Sequence, residues 1–104
     1  MSKVNIILVC SAGMSTSMLV LKMQKAAEAR GLDAYIEAIA SSVAVDKLKE
    51  IPVDVLLLGP QVRFLEADYK QRFSDISVSM IAPQDYGMMN GEKVLDQALS
   101  LIKQ

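Results

Sequence analysis

The chain has 104 residues and a formal net charge of −1, with 11 basic and 12 acidic side chains, no histidine and one cysteine. That length suits one domain spanning residues 1–104 with a core of its own, and a near-neutral charge without a basic run removes the electrostatic footing for nucleic-acid binding. A lone cysteine closes no intrachain disulfide and the missing histidines deny the usual zinc, copper and iron ligand sets, so no metal or other cofactor is expected; no apolar run is long enough to cross a bilayer.

Met-Ser-Lys-Val-Asn leads straight into a strand pattern, without an apolar leader and cleavage site, which predicts a cytoplasmic chain with a reduced thiol. Residues 4–9 are short, β-branched and bounded by a turn, and read as the first strand. Residues 16–30 read as a helix, with Leu19, Met23, Ala26 and Ala27 at helical spacing, Lys22, Lys25 and Glu28 on a wetter face, and Gly31 as the stop. Residues 34–40 form the second strand. Ser41 and Ser42 are expected to cap a short helix over residues 43–50, with Val43, Val45 and Leu48 on its apolar side and Pro52 beyond its end. Residues 53–58 are the third strand, and Gly59-Pro60-Gln61 opens a helix to about residue 73 with Val62, Leu65, Tyr69 and Phe73 on one face. The fourth strand covers residues 77–82, a loop covers residues 83–90, and a final helix over residues 91–103 turns Val94, Leu95, Ala98, Leu101 and Ile102 inward.

Strand and helix alternate four times with short links, which calls for right-handed crossovers and a four-stranded parallel sheet with helices on both faces. The first and third strands are almost wholly apolar, as central strands are, whereas Tyr35-Ile36-Glu37-Ala38 and Ile76-Ser77-Val78-Ser79 mix in polar residues as edge strands do. The predicted order is therefore 2-1-3-4, an α/β fold of the flavodoxin-like kind. Ligands of such sheets bind outside the carboxyl ends of the strands, where the order reverses. Here that is between the first and third strands, which draws together the loop after Cys10, Gly59-Pro60-Gln61 and the loop around Tyr86.

Cys10 is the candidate nucleophile. It closes the first strand and is followed by Ser11, Ala12, Gly13, Met14, Ser15, Thr16 and Ser17, four of them hydroxyl-bearing and one glycine. A loop entering a helix turns backbone N–H groups toward an anion, so the same residues favour a thiolate on Cys10 and cradle the oxygens of a phosphoryl group. A cysteine can also be a small buried hydrophobe, but that role calls for neither the glycine nor the run of hydroxyls. The GxxxxGK[ST] phosphate loop of nucleotide hydrolases is absent, because Gly13 is followed by no second glycine and no lysine.

The Cys10 segment resembles two families that share this architecture. Low-molecular-weight protein tyrosine phosphatases carry a cysteine, five residues and then an arginine on such a strand-loop-helix; here Thr16 occupies the arginine position, and the first basic residue after the loop is Lys22. Without a guanidinium to stabilise attack by water, a cysteinyl phosphate forms but hydrolyses slowly. Asp85 invites comparison with the general acid of those phosphatases, yet an aspartate shortly after Pro83 is more commonly a turn former. The fuller resemblance, along the whole chain, is to the enzyme IIB component of the lactose/cellobiose family of the bacterial sugar phosphotransferase system. It rests on Ile-Leu-Val-Cys-Ser-Ala-Gly-Met-Ser-Thr-Ser over residues 7–17, Val-Leu-Leu-Leu-Gly-Pro-Gln over residues 55–61, and Tyr86-Gly87.

That resemblance implies a phosphotransferase acting through a phosphocysteine. A phosphohistidine on an enzyme IIA partner donates to Cys10, which passes the phosphoryl group to a sugar, cellobiose or another β-linked disaccharide, bound by membrane-embedded enzyme IIC. The absence of histidine agrees with this division of labour, and the chain itself is not expected to enter the membrane. The alternative is a cysteine-dependent low-molecular-weight phosphatase. Gln61 and Tyr86 are candidates for the site rim. Met14, Met18, Met88 and Met89 suit an adaptable docking surface, with a core role equally open to Met18, and Arg63 reads as a solvated helix-start residue.

Overall fold

The computed structural model describes residues 3–11 and 14–102, and residues 14 and 15 through their backbone only. Four strands, β1 (Val4–Cys10), β2 (Ala34–Ala40), β3 (Val55–Leu58) and β4 (Ser77–Met80), form one parallel sheet in the order β2-β1-β3-β4, as predicted. Val4 stands opposite Ala34 and Cys10 opposite Ala40 across one side of β1, while Ile6 to Val9 pair with Val55 to Leu58 across the other. The helices are α1 (Met14–Ala29), α2 (Ser41–Glu50), α3 (Glu66–Arg72), α4 (Pro83–Gly87) and α5 (Gly91–Ser100), with a 3₁₀ segment, Pro60–Leu65, ahead of α3.

The pleat divides the apolar residues of the central strands between two cores. Ile6, Leu8, Val55 and Leu57 pack with Leu19, Met23 and Ala27 of α1 and Val94, Leu95 and Ala98 of α5. Ile7, Val9, Leu56 and Leu58 pack on the other face with Ala44 and Leu48 of α2, Val62 and Tyr69. A strand covered on both sides has no wet face to mark with polar residues, which is why β1 beyond Asn5 and β3 read as apolar runs. Each such side chain contributes about 1.5–3 kcal/mol by its burial.

Backbone geometry explains two glycines. Gly31 takes φ +68° at the end of α1, its N–H donating to the Glu28 carbonyl (3.0 Å) and that of Leu32 to Ala27 (2.9 Å), the paired bonds of a left-handed helix terminus. Gly91 is needed for proximity: a Cβ there would stand 2.6 Å from the carbonyl carbon of Lys22, so α5 lies directly against the backbone of α1.

Several boundaries differ from the sequence expectation. α2 starts at Ser41 directly after β2, with Ala40 in the N-cap position and no side-chain capping bond, so Ser41 and Ser42 are first-turn residues instead of caps. The earlier start turns the helix: Ala44 joins Leu48 in the core and Val43 faces solvent. β3 starts at Val55, two residues later than expected; ahead of it the Asp54 N–H donates to the Asn5 carbonyl (2.9 Å) while its carboxylate accepts the Asn5 N–H (2.8 Å). The helix expected over residues 59–73 is broken at Val62 (φ −117°, ψ 23°) into the 3₁₀ segment and α3. The expected loop over residues 83–90 contains α4, opened by Pro83 at its first turn, where the missing N–H costs nothing. β4 ends at Met80, and α5 ends at Ser100 with Leu101 and Ile102 beyond it; residue 103 lies outside the described residues.

Candidate functional site

The carboxyl ends of β1 and β3 lie side by side, and the chain leaves them in opposite directions to cover opposite faces of the sheet. Cys10 is the last residue of β1. It is 1 % exposed, and its Sγ is 3.9 Å from the Ile39 carbonyl, which the thiol faces as donor. The strand's central position and the early start of α1, four residues on, account for that burial.

Of the predicted cradle, Ser11 is exposed, and Ala12 and Gly13 lie outside the described residues. Met14 and Ser15 begin α1, so the helix starts two residues earlier than its apolar spacing indicates and brings its amino end nearer Cys10. Thr16 is fully buried, alone among the polar and charged side chains of the described residues, and Ser17 is exposed.

Thr16 is buried without being orphaned. Its Oγ1 lies 3.2 Å from the Tyr86 hydroxyl, and either oxygen can donate. Tyr86 comes from α4, 70 positions along the chain. Its ring edge also reaches Gly59, where a Cβ would find Tyr86 Cε1 at 3.7 Å, Gln61 Oε1 at 3.1 Å and the Val9 carbonyl at 3.5 Å. The Gly59 N–H donates to that same Val9 carbonyl at 2.8 Å. Thr16, Gly59, Gln61 and Tyr86 thus meet at the end of β1, the convergence expected from topology, with Tyr86 reaching both of the other segments.

α4 is anchored from behind. Gln97 of α5 donates from Nε2 to the Met80 carbonyl (2.7 Å) and accepts the Ala82 N–H (3.2 Å) just before the helix begins. At its other end Met89 adopts φ 51°, and the Asn90 N–H donates to the Asp85 carbonyl (2.9 Å), closing the turn into α5. Asp85 therefore serves the α4–α5 turn through its backbone, in keeping with a turn former.

Apolar side chains stand exposed on each segment that leaves this edge of the sheet: Met18 and Leu21 on α1, Phe64 on the 3₁₀ segment at 75 % and Met88 after α4 at 68 %. Phe64 escaped the sequence reading. The signal was present, since it falls outside the Val62-Leu65-Tyr69-Phe73 stripe and so must face away from the core. Arg63 beside it is exposed and forms no ion pair among the described residues, in line with a solvated side chain. A concavity of about 680 Å³ between α1 and the start of α5 is lined by Lys22, Lys25, Lys93, Glu92 and Asp96 among others and does not include Cys10. No helix among the described residues is long and apolar enough to cross a membrane.

A family profile described as "PTS system, Lactose/Cellobiose specific IIB subunit" matches residues 5–97. The galactose-specific EIIB component of Lactococcus lactis subsp. cremoris is 46 % identical over 103 residues, covering 93 % of this chain and 94 % of that one. The oligo-beta-mannoside-specific EIIB component of Bacillus subtilis is 39 % identical over 99 residues with the same coverage. Among solved structures, the cellobiose-specific phosphotransferase IIB component of Borrelia burgdorferi superposes with a TM-score of 0.77 at 42 % identity, covering 97 % of this chain and 93 % of that one. The lactose-specific IIB domain of the phosphoenolpyruvate:carbohydrate phosphotransferase system of Streptococcus pneumoniae gives 0.85 at 16 % identity, covering 98 % and 100 %, and bears on the flavodoxin-like fold alone.

Proposed function

This chain belongs to the lactose/cellobiose-specific IIB family of the sugar phosphotransferase system, and on that footing we propose that it is a cytoplasmic, single-domain phosphoryl carrier whose acceptor atom is the sulfur of Cys10. The donor is a phosphohistidine on an enzyme IIA partner. The acceptor is a sugar bound to membrane enzyme IIC, in this reading a β-linked disaccharide such as cellobiose, the sugar named for two of the relatives beside a galactose-specific and an oligo-beta-mannoside-specific one.

The observation that carries this reading is the position of the chain's one cysteine at the carboxyl end of a central strand, at the switch point, four residues before a helix begins. With the thiol proton lost to solvent, a sulfur lone pair forms the S–P bond as the P–N bond to the donor imidazole breaks, the nitrogen keeping that electron pair. In the second transfer the sugar hydroxyl oxygen bonds phosphorus, its proton leaves to a base or to water, and sulfur recovers its pair. Such transfers need positioning and charge stabilisation more than covalent help, which residues 11–17 provide as a cradle of backbone N–H and hydroxyl donors. Gln61 and Tyr86 form its rim.

Retention matters as much as acceptance. Position 16, which holds arginine in phosphatases of this architecture, holds a buried threonine engaged by Tyr86, so no guanidinium is supplied there to a water attack. A IIB protein incubated with a phosphorylated cellobiose-system enzyme IIA is expected to gain one phosphoryl group, mapped by peptide mass spectrometry to Cys10, while Cys10→Ser gains none. Steady turnover of an aryl phosphate, or equal labelling of the serine variant, contradicts the proposal.

A further inference from the structure

The geometry points to Tyr86 as a positioning residue that acts through Thr16, fixing the direction in which the threonine hydroxyl donates when a phosphoryl group occupies the cradle. This rests on the reading of residues 11–17 as that cradle.

Thr16 and Tyr86 each own one hydroxyl proton, and their oxygens are 3.2 Å apart. With no anion bound, the bond between them can run either way. A phosphoryl group bound to sulfur presents acceptors only. If Thr16 donates to one of its oxygens, the threonine oxygen must receive its own hydrogen bond from Tyr86. The two-way pair becomes a one-way chain, Tyr86 to Thr16 to phosphoryl oxygen, and hydrogen bonds aligned in this manner strengthen one another.

Such a device needs the tyrosine hydroxyl held in place, and this fold holds it. The Tyr86 ring rests against Gly59, its N–H donates to the Ala82 carbonyl (3.0 Å), and the Ala82 N–H is clamped by Gln97. It also needs a threonine hydroxyl shut off from water, since a solvated one would find another donor for itself. Thr16 is fully buried. The partner it meets, the Tyr86 hydroxyl, comes from an element 70 residues away.

The test is a double-substitution cycle on the rate of Cys10 phosphorylation by a phosphorylated cellobiose-system enzyme IIA, with thermal midpoints measured alongside. Tyr86→Phe keeps the ring against Gly59 and removes only the hydroxyl; it is expected to slow labelling of the folded protein by about three- to ten-fold, the range for losing one neutral hydrogen bond. Thr16→Val should slow it at least as much, Thr16→Ser should restore most of the rate, and adding Tyr86→Phe to Thr16→Val should change nothing further. Wild-type labelling by Tyr86→Phe, or losses that multiply in the double variant, overturns the inference while leaving Cys10 as carrier. A lowered midpoint with an unchanged rate in Tyr86→Phe also overturns it, because the bond would then be structural alone. Failure of the parent protein to label at all removes the proposed function and this inference with it.

Discussion

Tyr69 shows how far one side chain can be read from its surroundings. It lies buried on the α3 face of the sheet with its ring edge-on to Phe73, centroids 5.6 Å apart and planes at 84°. Burial holds its hydroxyl above the ordinary value of 10.0, Asp68 adds in the same direction and Arg72 opposes. A raised value means the folded protein keeps its proton longer than the unfolded chain, so this contribution is complete below about pH 10 and is lost as pH rises beyond it. Tyr69→Phe should therefore flatten the fall in urea midpoint above about pH 10 without abolishing it, since Tyr35, raised mainly by its hydrogen bond to Glu37, contributes in the same sense. A slope identical to the parent's would show that Tyr69 carries none of it. At this scale the sequence is unevenly informative. Cys10 is conspicuous by composition, yet its burial is not, because enclosure depends on where α1 begins. The Thr16–Tyr86 bond joins positions 70 apart and has no local signature. Met89 takes the left-handed turn although Gly87 and Asn90 are better suited by residue type; the phase at which α4 ends decides which residue receives it.

At the scale of elements, periodicity identified the strands and the helices α1, α2 and α5, and the errors fall where periodicity has little to grip. α2 follows β2 without a loop, leaving no linker in which Ser41 or Ser42 could act as a cap. The break at Val62 leaves the apolar stripe from Val62 to Phe73 intact, so a 3₁₀ segment plus a short helix look like one helix from composition. α4 is only five residues long, below what an apolar repeat can reveal. Gly91 is the converse case: it looks like a helix-start residue of no special weight, but it sets the distance between α1 and α5. Gly91→Ala should lower stability by about 1–3 kcal/mol in chemical denaturation, because the new methyl group meets Lys22 backbone, which cannot swing aside. An unchanged midpoint would mean that α5 slides freely on α1. Gln97 links the same helix to the site from the other side, through Met80 and Ala82.

At the scale of the molecule, the architecture was legible because several independent signals agreed: two almost wholly apolar strands, two mixed ones, and helices between them admit few arrangements other than 2-1-3-4. Most of the convergence at the site followed from that order, which brings Gly59, Gln61 and Tyr86 beside the end of β1. The order does not supply the identity of the contacts, which depend on side-chain packing across long sequence separations. The central claim is that the buried sulfur of Cys10 holds a phosphoryl group and passes it on. Phosphorus NMR of the protein after reaction with phosphorylated enzyme IIA tests it most directly, because sulfur-, nitrogen- and oxygen-bound phosphorus resonate apart. The account predicts a single S–P resonance that persists in buffer and disappears, with sugar phosphate formed, when enzyme IIC membranes and cellobiose are added. A spectrum with only inorganic phosphate, or with N–P or O–P phosphorus on the protein and no S–P signal, contradicts it.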